Sequence, residues 1–237
     1  YGTVGNVVNH RDSSNLPTRN YRDPYFEGAE GIDGRMMHRT ILLERDTCQS
    51  CPVYCKQVVE YDGETFPDEP DYQTDRTGEF TIEKTYGGPE YETLASLGSN
   101  CGVSDLKAVC KANELCQRYS IDTISTGVTI SFAMECFEHG LLTKKDTDGM
   151  DLSFGNAESM VKMVELIGEK TGLGALLAEG SMRAAEQIGN GAEEFAVHVK
   201  GQEVPMHDPR LKRGEALGYA VSPTGADHVH NIHDTFL

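Results

Sequence analysis

The chain has 237 residues, 38 acidic and 21 basic, for a formal net charge of -17, with 38% hydrophobic and 25% charged residues. These totals fit a globular protein of one or two domains, and no apolar run approaches the ~20 residues of a membrane span. Nucleic acid is excluded as an expected partner, because an acidic excess without a Lys/Arg stripe removes the main driving force for phosphate binding.

Seven cysteines, an odd number in a chain of this size, do not read as the disulfide framework of a small secreted domain, and a reducing cytoplasm is the expected setting. The chain opens at Tyr1 without a basic n-region or an apolar h-region, and it reads as a fragment of something longer.

Residues 1–45 are rich in Gly, Asn, Asp, Arg and Pro and carry no sustained helical or strand period. They are expected to be irregular and to wrap the surface. Next comes Cys48-Gln-Ser-Cys51-Pro-Val-Tyr-Cys55, a C-x2-C-x3-C spacing on a turn-forming segment. Three thiolates from one loop plus a distant fourth is a common iron–sulfur arrangement. Zinc competes for the same thiolates, although zinc sites more often pair two knuckles, and no second knuckle is present. From Asp62 to Glu92 ten carboxylates face only Arg76 and Lys84, which reads as an exposed acidic loop with a short strand near Phe80-Thr81-Ile82.

Beyond residue 100 the pattern becomes helical. A Ser104 cap precedes Leu106, Val109, Cys110 and Cys116 on one face, and Val128, Phe132, Cys136 and Phe137 precede Gly140, where an αL cap belongs. Met160, Met163, Val164 and Ile167 follow the i, i+3, i+4, i+7 template up to Gly172, and a shorter helix runs from Ser181 to near Gly189. The expected fold is therefore mainly α, a multihelical array with an irregular N-terminal segment and an acidic loop. Cys110, Cys116 and Cys136 on apolar faces read as core. Cys101, in a turn, is the in-chain candidate for a fourth metal ligand. A boundary near residue 203 divides 1–203 from 204–237, where the chemistry changes.

Two segments carry acid–base candidates. Glu90 and Glu92 follow the Gly87-Gly88-Pro89 turn; in an extended segment they would share a face, whereas in a helix they would point apart and only one could serve a site. Pro205-Met206-His207-Asp208-Pro209-Arg210 and Gly225 to Asp234 mix imidazoles with carboxylates in turn-rich sequence, which suits proton exchange near neutral pH. A mononuclear metal site from His228, His230 and His233 is the rival use, weakened because His233 would point away from the others in a strand.

Leu16-Pro17-Thr18-Arg19-Asn20, the three-cysteine block, Gly88-Pro89-Glu90-Tyr91-Glu92-Thr93, Asn100-Cys101-Gly102, Ile121-Asp122-Thr123-Ile124-Ser125, His207-Asp208-Pro209-Arg210 and Gly225-Ala226-Asp227-His228 together resemble the tungsten-containing aldehyde ferredoxin oxidoreductase family, in that family's order. The resemblance implies most of a helical second domain and the start of a helical third in a longer enzyme. It implies a tungsten (or molybdenum) bis-molybdopterin resting on an absent N-terminal domain, and a 4Fe-4S cluster on Cys48, Cys51 and Cys55 with its fourth cysteine outside this chain. Glu90 takes the place of the family's active-site glutamate and His228 that of its active-site histidine. His207 stands where some members have a tyrosine, a departure that suggests a different pocket or proton route. The pterin-contacting motif D-x-x-G-L-D falls on Gln117 to Asp122, making Gln117, Ile121 and Asp122 the implied cofactor contacts and keeping only the last Asp unchanged. The implied reaction oxidises an aldehyde to a carboxylate with ferredoxin as acceptor. Benzoyl-CoA ring reduction within the same family, a non-catalytic iron–sulfur subunit and a homo-oligomeric assembly stay open.

Overall fold

The computed structural model describes residues 1–62 and 80–230. Most of the expected acidic loop, and His233 with it, lies outside the described residues. The elements in chain order are α1 (Val7–Asp12), α2 (Gly34–Thr40), β1 (Leu42–Asp46), β2 (Lys56–Val59), α3 (Tyr91–Thr93), α4 (Leu106–Tyr119), α5 (Thr123–Glu138), α6 (Ala157–Glu169), α7 (Leu173–Leu177), α8 (Ser181–Ile188), β3 (His198–Val199), β4 (Gln202–Glu203) and α9 (Arg213–Val221). Among the described residues the sheet consists of two antiparallel pairs, β1 with β2 and β3 with β4, so the fold is mainly α. No described helix is long and apolar enough to cross a membrane.

At the centre is α5, buried without interruption from Thr126 to Cys136. The single apolar face expected from Val128, Phe132 and Cys136 is an understatement, because this helix is enclosed all round. Its polar residues are paired. Ser131 Oγ donates to Asn20 Oδ1 at 3.1 Å, and Glu135 accepts from Asn20 Nδ2 at 2.6 Å. On one flank α5 meets the π-helical turn Leu94–Gly98 that continues α3. A Cβ at Gly127 would lie 2.6 Å from the Ser96 carbonyl carbon, so the contact requires glycine there. The second layer is α4 against α6, with α7 packed on α6. Met160, Met163, Val164 and Ile167 are all buried, as their spacing predicts.

Two helix ends differ from expectation by a residue or a turn. The cap of α4 is Asp105, whose carboxylate accepts from Lys107 N, and not Ser104. The end of α6 is at Glu169 with Lys170 in the left-handed region, and Gly172 instead precedes α7. Asp and Ser are both good caps, so sequence alone does not rank neighbours. The ends at Gly140 and Gly189, both at positive φ, fall where expected.

The N-terminal segment is the larger correction. It holds α1 and α2, and Val4, Val7, Leu16, Phe26, Ile32 and Met37 enter the core. Helices of six and seven residues are too short to show a period above the surrounding Gly and Asn. Arg19, Asn20 and Tyr21 take positive φ in succession, a conformation that costs about 1 kcal/mol or more per residue. It is held by Arg19 N to Ser99 O, Asn20 N to Asn100 O and Tyr21 N to Asn100 Oδ1, each near 3 Å. The result drives Tyr21 into the interior.

Candidate active site and cysteine loop

The hairpin of β1 and β2 presents the three clustered cysteines on residues 47–55. Cys51 N bonds Cys48 O at 3.0 Å and Thr47 Oγ1 bonds Cys51 O at 2.7 Å, folding the loop into a tight turn. Ser50 and Tyr54 take positive φ, and Arg45 donates to the Tyr54 carbonyl. Cys48 is exposed, Cys51 and Cys55 are half-buried, and none is in a disulfide. Unbonded thiols gathered on one accessible turn beside a guanidinium suit a thiolate-ligated centre, so the donor set fits an iron–sulfur cluster. The other four cysteines are buried. Burial pushes the thiols of Cys116 and Cys136 up to about 12 and also raises those of Cys101 and Cys110 well above the ordinary thiol value. Cys101 Sγ lies 3.4 Å from Ser96 O and 3.5 Å from Gly127 O, so it is a packing residue against α5 and not a fourth ligand.

The second site is assembled from distant segments. The Gly87-Gly88 turn docks on β2 through Gly88 N to Gln57 O at 2.7 Å and starts α3 with Glu90 as its N-terminal flanking residue. A helical turn separates Glu90 from Glu92 in direction. Glu90 turns toward the N-terminus and accepts from the Thr3 hydroxyl. Glu92 turns inward, where Oε2 accepts from Met206 N at 2.8 Å and Oε1 lies 3.0 Å from His207 Nε2 and 3.8 Å from His228 Nε2. Of the two glutamates, Glu92 meets the histidines and Glu90 meets Thr3.

Tyrosines hold the 204–208 segment in place. Tyr91 Oη donates to Met206 O at 2.6 Å, and Tyr21 Oη to Pro205 O at 2.8 Å and to Val204 O. Asp208 N bonds Asn15 Oδ1 at 3.1 Å, and Arg210 clasps the Asp208 carboxylate. Through these bonds the segment after the expected boundary at residue 203 is stitched to the first. His10, which no motif singles out, completes a ring array: 4.6 Å between centroids to Tyr91 and 5.5 Å to His207, with His207 5.4 Å from His228.

His228 arrives on the loop after α9. Asp227 shapes that loop by accepting from Val229 N at 2.6 Å and from His230 N at 3.3 Å. The Val229 N–H is the main cause of its lowered pKa. Gly225, at φ +113°, lets the loop touch β3, where a Cβ would meet Val199 O at 2.7 Å. Of the rival His228–His230–His233 set, His233 lies outside the described residues, and His230 is exposed and pairs with Asp227 at 3.4 Å. The ligand atoms of Glu92, His207 and His228 lie within 4.8 Å of one another.

Burial raises the Glu92 pKa, but the His207 hydrogen bond, the charges of His207 and His228 and the Met206 N–H outweigh it, leaving it below the usual value. Glu92 is thus an ionised acceptor between two imidazoles. The residues implied as cofactor contacts lie at the α4–α5 corner. Gln117 and Asp122 are exposed and Ile121 is half-buried. Asp122 caps α5 through Ser125 N at 2.7 Å. The corner is tied to α3 by Thr93 Oγ1 to Thr123 Oγ1 at 2.8 Å.

The chain is a mainly α module with a thiol-bearing hairpin and a separate carboxylate–imidazole cluster. The match of residues 1–236 to the family model for aldehyde ferredoxin oxidoreductase, domains 2 and 3, places it. The chain belongs to that family. It is 36% identical over 98% of its length to the tungsten-containing aldehyde ferredoxin oxidoreductase of Thermococcus kodakarensis, and 36% identical over 97% to that of Pyrococcus abyssi. It spans 35% of the length of each of these relatives. Its fold also matches the active site complex BamBC of benzoyl coenzyme A reductase in complex with 1,5-dienoyl-CoA, with a TM-score of 0.64 at 20% identity over 90% of this chain and 30% of that one.

Proposed function

We propose that the chain is the central part of a tungsten-pterin oxidoreductase that converts aldehydes to carboxylic acids and passes the electrons to ferredoxin. The observation that carries this reading is the convergence of Glu92, His207 and His228 in a chain of this family. When bound, tungsten or molybdenum on two molybdopterins supplies the two-electron redox step, and a 4Fe-4S cluster on Cys48, Cys51 and Cys55 divides it into single electrons.

The chain's own residues handle protons and position substrate. We assign the base role to Glu92 in place of Glu90: its carboxylate is ionised and faces the imidazoles, ready to take a proton from the attacking water. His228, half-buried and opposite Glu92, donates to the carbonyl oxygen and stabilises charge as it develops. His207, 3.0 Å from Glu92, donates to the carboxylate and holds it ionised and in place. Gln117, Ile121 and Asp122 would hold the edge of the pterin. Residues 1–203 would form one helical domain and 204–237 the start of the next, with the pocket at their seam.

The test is metal and sulfide analysis of the full-length parent purified without oxygen, with an aldehyde assay on the same sample. About one tungsten with four iron and four sulfide per chain and ferredoxin-linked aldehyde oxidation are expected. Iron and sulfide without tungsten, molybdenum or pterin would point to an electron-transfer subunit instead.

A further inference from the structure

Three tyrosines are buried around the acid–imidazole pocket, and two of them spend their hydroxyls on backbone carbonyls of residues 204–206. The third, Tyr219 on α9, is 3% exposed, and its hydroxyl has no hydrogen-bond partner among the described residues. Such an atom in a native interior calls for an explanation, because a hydroxyl taken from water without a partner is destabilising. The helix could have placed Phe there with no loss of packing. Tyr219 instead sits within electrostatic reach of Glu215, Glu92, Asp227 and Asp208, and burial together with these carboxylates raises its pKa, so the phenol keeps its proton and can donate it. None of the four accepts it.

We propose that Tyr219 is a substrate-binding residue whose hydroxyl donates a hydrogen bond to the carbonyl oxygen of a neutral substrate. The surrounding carboxylates give the class of ligand. An uncharged carbonyl acceptor satisfies the phenol without like-charge repulsion, whereas the anionic carboxylate product meets Glu92 and Asp227 and is expelled. The inference rests on the aldehyde reading of the same pocket, and its experiment separates the two.

The full-length holoenzyme and its Tyr219→Phe variant are compared in three ways, with tungsten and iron content checked in both. For aldehyde oxidation, kcat/KM is expected to fall about tenfold, the loss of one hydrogen bond, carried by KM and with the pH profile unmoved, since proton transfer belongs to Glu92. For binding, benzamide is the neutral probe and benzoate its charged counterpart. The wild type should prefer benzamide, and the variant should lose about tenfold for benzamide alone. For stability, the variant's Tm should be unchanged or higher, because no bond is lost. A variant with wild-type kcat/KM and wild-type benzamide affinity, or one with a clearly lowered Tm, overturns the proposal. A wild type that oxidises no aldehyde yet loses benzamide binding on Tyr219→Phe would overturn the aldehyde reading and leave this inference standing. A wild type that binds no benzamide overturns the inference itself.

Discussion

The cysteine hairpin and the Glu92 pocket are built on opposite plans. In the hairpin, all three reactive groups come from one nine-residue loop, lie at or near the surface and lean on neighbours in sequence. In the pocket, Glu92, His207 and His228 come from three separate segments, and their positions depend on tyrosine, asparagine and backbone bonds that span more than a hundred residues. A site for a large preformed cluster needs soft ligands on an accessible turn. A site for proton transfer needs ionisable groups withdrawn from water at fixed spacing. The two plans should fail in different ways when perturbed.

The largest expected effect lies at the hairpin. In the full-length protein, Cys51→Ser should remove most of the cluster iron and ferredoxin-linked turnover while leaving the pocket's spectroscopic and folding signatures intact. Retained iron would dissolve the contrast. Next, His207→Phe should lower aldehyde turnover by roughly 10- to 100-fold, the loss of a hydrogen bond to a charged group, with the metals retained. The acidic limb of the pH–rate profile should move up, because Glu92 loses its nearest imidazole. An unmoved limb would show that Glu92 does not report on that neighbour.

Stability against pH sharpens the comparison further. Glu92 is lowered on folding, its burial outweighed by the two imidazoles and the Met206 N–H, so it stabilises the fold above its unfolded pKa, and that contribution is lost as pH falls through the lowered folded value. Acid unfolding of wild type and Glu92→Gln should therefore diverge above about pH 4.5 and converge in stronger acid. The smallest effect belongs to neither site. Asp105→Ala should cost about 1 kcal/mol by removing the cap of α4, measured by urea unfolding, with turnover unchanged.

Sequence exposes what is local. The spacing of Cys48, Cys51 and Cys55, the stripe of α6 and the turn at Gly189 are short-range signals, and each lies where the pattern places it. His207 and His228 stand out for the same reason, as imidazoles in turn-rich sequence. The choice between Glu90 and Glu92 depended on whether one turn closes into a helix, and the next partner lies 115 residues away. His10 and Tyr219 carry no local mark at all, because a lone ring on a helix reads as packing. The N-terminal segment misleads for a related reason. Its helices are shorter than the window over which a period can be recognised, and its backbone is held by bonds to residues 99 and 100 that sequence does not display.

The account stands most directly on which glutamate serves the pocket. The deciding measurement is kcat/KM for aldehyde oxidation by full-length Glu92→Gln and Glu90→Gln, each with tungsten and iron content matched to wild type. Glu92→Gln should fall by about 10²- to 10⁴-fold, while Glu90→Gln, which loses only its bond with Thr3, should stay within a few-fold of wild type. The reverse order would contradict the assignment of Glu92 as the base.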